Sequence, residues 1–235
     1  MTSVVSIQLP SLLTSHTPPP VHAASGNAST VANDCTDWDA WNNHAQTVAC
    51  VERVASYSYI AMGGSVVVFD IETQDKIANM PGAERIDQIC NLQVSCLSYL
   101  VLDAERMTDP EDAAREVEDA TMVTLWRDED PDGEGPFEPL FKAFDEAELI
   151  CSYNGLDFDH PCLWKHCGKK RSEAHLLKAH DAFSRLRANT NVWFKLDNLL
   201  KANGLKTKTA NGLEAIRMWN DGERDRLREY CEQAT

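Results

Sequence analysis

No stretch of this 235-residue chain approaches the ~18 consecutive apolar residues that cross a bilayer. The longest candidate, around Ser65 to Phe69, has the length of a strand. A membrane span is therefore not expected. With 43% hydrophobic residues the chain can bury the core of one sizeable globular domain plus an arm. Bases are scarce: 22 Lys and Arg stand against 37 Asp and Glu, a net charge of −15, which argues against a general nucleic-acid binder. The deficit is uneven. Asp103 to Glu148 hold 17 acids and 4 bases, a net of −13, whereas His160 to Thr235 hold 9 acids and 15 bases, a net of +6. The asymmetry fits either a face that attracts phosphates or a solvated acidic insertion beside a Lys-rich helical surface.

Regular cysteine spacing is also missing. The eight cysteines, at positions 35, 50, 90, 96, 151, 162, 167 and 231, form no disulfide framework, and several lie in apolar contexts. A reducing, intracellular compartment is expected. Residues 1–34 contain no Lys or Arg and no acid before Asp34. Rich in Ser, Thr, Ala and Pro, they read as a disordered arm, and the lack of bases argues against a targeting peptide. Residues 35–60, with Trp38, Trp41 and a helical stretch from His44 to Ser56, read as a helical lead-in. No internal repeat is present.

From residue 61 onward the pattern is that of a folded domain. Ser65 to Ile71 is a β-branched apolar run, the mark of a buried strand. Gln88 to Leu102 predicts a second, bent strand, Thr121 to Trp126 a third and Leu149 to Tyr153 a fourth. Asp109 to Asp119 predicts a helix opened by Asp-Pro, and Phe137 to Ala147 an amphipathic one. Thereafter helices dominate: Phe158–Cys167, Ala182–Arg187, Lys195–Ala202, Leu213–Trp219 and Glu223–Gln233. Strands first and helices after predict an α/β fold, a sheet covered by helices.

Three motifs bear on chemistry. Asp70 and Glu72, two apart on a strand, project from one face. Two hard oxygen donors at one point suit Mg²⁺ or Mn²⁺, although Asp-x-Glu at a strand end is more often merely solvated. In Tyr153-Asn154-Gly155-Leu156-Asp157-Phe158-Asp159 a strand ends, the chain turns and a helix begins, with Asp159 aimed at the cleft. Taken alone this is a plain Asn-Gly turn with an acid near a helix start. In Arg228-Glu229-Tyr230-Cys231-Glu232-Gln233-Ala234, positions 230 and 234 share a helix face.

These segments, in this order, resemble the DEDD superfamily of 3′-5′ exonucleases, nearest its DEDDy type and the predicted exonucleases related to the proofreading domain of family B DNA polymerases. Lys195-Leu196-Asp197-Asn198-Leu199, Gly204, Lys206, Trp219, Gly222 and Tyr230-Cys231 extend the likeness, which covers roughly residues 65–235. It implies an RNase H-like mixed sheet flanked by helices. It implies a two-metal Mg²⁺ or Mn²⁺ site held by Asp70, Glu72 and Asp159, with Tyr230 positioning or helping to deprotonate the attacking water. The implied substrate is the 3′ end of a single-stranded nucleic acid, DNA or RNA, gripped by Asn154, Lys206 and Lys208. At the family's fourth carboxylate this chain has Ala234, and it stops one residue later, where members usually continue with another helix. The resemblance therefore implies either an exonuclease impaired by Ala234 or by a truncated C-terminus, or an inactive exonuclease-like domain serving in nucleic-acid or protein binding.

Two further patterns compete with blander readings. Cys162, Cys167, His175 and His180 can be written as a zinc set, but structural zinc spacing is usually tighter. Lys169-Lys170-Arg171 is a candidate phosphate contact. Trp193 and Phe194 are candidate base-stacking aromatics, with core packing the more usual role.

Overall fold

The computed structural model describes residues 64–235 except Thr108 and Thr209. The expectations for residues 1–34 and 35–60 lie outside the described residues. The β-branched run at Ser65 becomes β1 (Ser65–Thr73), the central strand of a five-stranded sheet. Its neighbours are β2 (Val94–Asp103) and β3 (Val123–Trp126) on one side, and β4 (Leu149–Ser152) and β5 (Ala179–Asp181) on the other. The order is β3-β2-β1-β4-β5; β2 runs antiparallel to β1 and β3, and β4 runs parallel to β1 and β5. This is the expected α/β, RNase H-like mixed sheet flanked by helices.

Nine α-helices lie among the described residues. They are α1 (Arg85–Asn91), α2 (Pro110–Asp119), α3 (Glu138–Glu146), α4 (Asp159–Cys167), α5 (Lys169–Leu177), α6 (Ala182–Thr190), α7 (Leu196–Ala202), α8 (Gly212–Asn220) and α9 (Arg224–Glu232). None is long and apolar enough to cross a membrane.

The alternation of β1 decides where everything else sits. Val67, Phe69 and Ile71 face one side, where they are buried with Leu97 and Tyr99 of β2, Ile150 of β4, Leu140 and Phe144 of α3, and Leu163 of α4. Burying side chains of this size stabilises by roughly 1.5–3 kcal/mol each. Asp70 and Glu72 fall on the other side by the period of two. There Cys96 and Trp126 of the neighbouring strands are buried with Ala215 and Met218 of α8 and Leu227, Tyr230 and Cys231 of α9. The polar pair thus lies under helices and not in open solvent.

The structure departs from the expected elements at two places. Gln88 to Asn91 belong to α1, not to a bent strand. A capping box starts that helix: the Glu84 side chain accepts from the Asp87 amide, and Asp87 Oδ2 accepts from the Glu84 amide at 3.1 Å. Helix α5 and strand β5 escape the sequence pattern altogether. A strand of three residues shows no periodicity, and Lys169-Lys170-Arg171 looks like a basic loop. Arg171 instead ties α5 to α3, donating to Glu138 Oε2 at 2.8 Å and to Asp145 Oδ2 at 2.7 Å. His175 Nε2 lies 2.7 Å from Asp145 Oδ1 in the same cluster. Arg171 holds the carboxyls of Glu138 and Asp145 below their ordinary range. It acts as a clasp between helices, not as a free phosphate contact.

Candidate active site

Residues from four remote parts of the chain line one cleft of about 600 Å³, among them Asp70, Glu72, Asn154, Asp159, Lys208 and Tyr230. Asp70 and Glu72 come from β1, and Asp159 opens α4. Asp159 Oδ1 accepts a hydrogen bond from the Ile71 amide at 3.3 Å, the residue between the two β1 acids. Tyr230 is buried on α9, and the next residue, Cys231, donates its thiol to the Asp70 carbonyl at 3.8 Å. Helix α9 is thereby seated against the acidic end of β1.

The carboxylates are buried and crowded. Burial, opposed by the Lys208 ammonium, raises the Asp70 carboxyl above its ordinary range. Burial and the charge of Asp70 push Glu72 well up, and the same two causes push up Asp159. Asp70 Oδ2 is buried and has no hydrogen-bond partner. Burial, and then the charges of Glu72 and Asp70, raise the Tyr230 phenol. A phenol that keeps its proton can donate a hydrogen bond into the cleft that Tyr230 lines.

The folded protein holds a proton on Glu72 that the unfolded chain releases once pH passes the ordinary 4.5. Stability in chelator therefore falls as pH climbs from that value to the raised one, by about 1.4 kcal/mol for each pH unit of the window, and levels off above it. Glu72→Gln removes this term. Its melting temperature should match the parent near pH 4 and exceed it at neutral pH. A variant that is no more stable at pH 7.5 than at pH 4, relative to the parent, counts against a strained carboxylate cluster.

The turn that delivers Asp159 is held by a residue the sequence reading missed. Asp181, at the end of β5, is 1% exposed. Its Oδ1 accepts from the Asn154 amide at 3.0 Å and the Ser184 amide at 3.0 Å, and its Oδ2 from the Leu156 amide at 3.0 Å. It caps α6 and clamps the Asn154-Gly155 turn at once. The N-cap was readable as an Asp ahead of a helical stretch; the clamp was not. Asn154 takes a left-handed φ of 65° in this turn, which Asn tolerates.

The remaining candidates divide. Lys208 sits in the cleft, its Nζ 3.8 Å from Asp70 Oδ2 and 5.5 Å from the centre of the Tyr230 ring. Lys206 is exposed on the segment leading to it. Ala234 follows the end of α9 and is not among the residues lining the cleft. Glu232, the nearby acid, is engaged elsewhere: its Oε1 accepts from Thr124 Oγ1 at 2.7 Å. The zinc set does not assemble, because Cys162 donates its thiol to the Ile89 carbonyl and His175 is held by Asp145. Among the described residues no group of three or more His, Cys, Asp and Glu side chains is arranged as a ready metal shell, the cleft carboxylates included. Trp193, for which core packing was the usual expectation, is 65% exposed.

No protein-family model and no curated protein matches this chain. Among solved structures, E. coli exonuclease I in complex with a 5cy-dT13 oligonucleotide is similar at 15% identity and a TM-score of 0.33, over 71% of this chain. The match spans 42% of that protein's own length.

Proposed function

We propose that this chain is a divalent-metal-dependent 3′-5′ exonuclease of the DEDDy type, weakened by Ala234 at the fourth acidic position. The observation that carries the reading is the meeting of Asp70, Glu72, Asp159 and Tyr230 on one cleft, from three separate segments of chain. The donor chemistry suits a hard cation: three carboxylates, one with a buried oxygen lacking any hydrogen-bond partner, and all three raised by burial. Asp70, Glu72 and Asp159 would hold Mg²⁺ or Mn²⁺, which when bound activates water and offsets charge at a phosphodiester. Tyr230 would orient the water through its phenol proton. Asn154 and Lys208 line the same cleft and, with the exposed Lys206, would hold the strand's 3′ end.

A stacking surface adjoins the cleft. Tyr153, in the cleft wall, donates its hydroxyl to the Phe194 carbonyl at 2.7 Å, and its ring meets Phe183, which meets the exposed Trp193. The Arg187 guanidinium lies 4.0 Å over Trp193. A base stacked on an aromatic of this kind is worth roughly 1–3 kcal/mol. Trp193→Ala should weaken binding of a fluorescent oligothymidylate about tenfold in an anisotropy titration. Unchanged affinity removes Trp193 from the strand's path.

The function itself is tested with a 3′-labelled single strand and Mn²⁺. Slow release of 3′ nucleotides, lost in Asp70→Ala and faster in Ala234→Asp, is the expected result. Activity in Ala234→Asp alone would keep the site but make this chain a binding domain. Silence in every variant, with no strand bound, overturns the reading.

A further inference from the structure

We propose that Lys208 is a built-in cation of the carboxylate cleft, standing where a second divalent ion would otherwise be needed, so that the site takes one dication and not two. This rests on the reading of Asp70, Glu72 and Asp159 as metal-holding groups.

Position comes first. The Lys208 ammonium is 3.8 Å from Asp70 Oδ2, an ion pair too long for a hydrogen bond. The two side chains are only 19% and 16% exposed, so the pair lies largely out of water. Its Nζ also lies 5.5 Å from the centre of the Tyr230 ring, an electron-rich face that favours a cation. The backbone is held as well: the Lys208 amide donates to Asp197 Oδ1 at 3.4 Å, tying the segment between α7 and α8 back to α7. A lysine meant only for a passing phosphate backbone would sit on the exposed rim, as Lys206 does.

Charge comes second. Once the carboxyls release their protons to a bound cation, three carboxylates and one ammonium leave two negative charges, which a single dication neutralises. Two dications beside Lys208 would leave this group with two net positive charges; of the further acids nearby, Asp75 lines the cleft beyond the end of β1 and Asp197 is engaged with the Lys208 amide. Ala234 supplies no carboxylate, and Glu232 is held by Thr124. The alanine at position 234 and the internal ammonium of Lys208 therefore point the same way. Lys208 also has the chemistry to face a phosphate oxygen once a strand enters, as a fixed charge that needs no loading from solution.

The test is calorimetric titration of Mn²⁺ into the full chain at constant pH, with wild type, Lys208→Met, Lys208→Arg and Lys208→Met/Ala234→Asp. Wild type and the Arg variant should bind one ion. Removing a like charge a few ångströms away should tighten that ion roughly tenfold or more in Lys208→Met, and the double variant should take a second ion. Lys208→Gln gives the same readout should the Met variant fail to fold. Two ions in wild type, or an affinity that Lys208→Met leaves unchanged, overturns the inference while leaving the metal site standing. No ion in any variant removes the metal reading itself, and this inference with it. A metal-free arm separates the two. Lys208→Met should lower the melting temperature by several degrees in wild type and much less in Asp70→Asn. An equal fall in both backgrounds means that the ammonium does not serve Asp70.

Discussion

Asp181→Ala is expected to cost about 3–5 kcal/mol of folding stability, among the largest effects of any single polar substitution in the domain. The carboxylate is almost wholly buried and accepts from three backbone amides, two in the turn at Asn154 and one at the start of α6. Alanine leaves those donors without a partner in a place water reaches poorly. Each unsatisfied buried group costs about 1–3 kcal/mol, and the total is less than the sum because the turn can relax. The consequence reaches the cleft. The Asn154-Gly155 turn precedes Asp159 by only a few residues, and the Asp159 amide region starts α4 from it. Asp181→Asn keeps one acceptor oxygen and should lose about half as much. Urea denaturation measures the stability, and hydrogen exchange the mechanism. The amides of Asn154 and Leu156 should lose protection in the Ala variant beyond the global change. A loss below 1 kcal/mol, with both amides still protected, would mean that the turn holds itself.

Asp181 also shows where sequence reasoning stops. As an acid before a helical stretch it has the look of an ordinary N-cap, and it is one. Its second task lies 25 to 27 residues away in sequence, in a contact that only the parallel pairing of β4 with β5 creates. A three-residue strand has too little pattern to announce that pairing. By contrast, β1 was legible because a β-branched run needs no partner to be recognised. The shared face of Asp70 and Glu72 was legible because a period of two is a property of one strand alone. Lys208 falls between these cases. Its residue type is visible in the sequence, where a basic residue in a loop points to solvent and phosphate. What places its ammonium at Asp70 is the path of the chain between α7 and α8. Local chemistry was readable from local sequence, and joint chemistry only where the fold closed the distance.

Gly155 carries the same lesson into a second large effect. In an Asn-Gly turn the glycine is usually needed for a left-handed backbone. Here Asn154 takes that conformation, with φ at 65°, and Gly155 is needed for space. A Cβ at position 155 would lie 2.3 Å from Ser152 Oγ and 2.6 Å from Ser152 Cβ. Ser152 is buried on β4 and too short to swing away from a contact at its own Cβ. The same Cβ would come within 3.4 Å of Asp159 Oδ2. Either the turn lifts off the strand or Asp159 leaves its hydrogen bond to the Ile71 amide. Gly155→Ala should therefore cost about 3 kcal/mol, or roughly 6–12 °C in Tm for a domain of this size. It should also weaken Mn²⁺ binding more than Asp181→Asn does, because its clash reaches the carboxylate directly. Ser152→Gly in the same chain removes both close contacts and should restore most of the Tm. Were the double variant no more stable than Gly155→Ala, the strain would lie in the turn's backbone and not in the contact with β4. A Gly155→Ala protein as stable as its parent would show that the turn has room for a methyl group, and that Asp159 owes its position to the Ile71 amide and Asp181 alone.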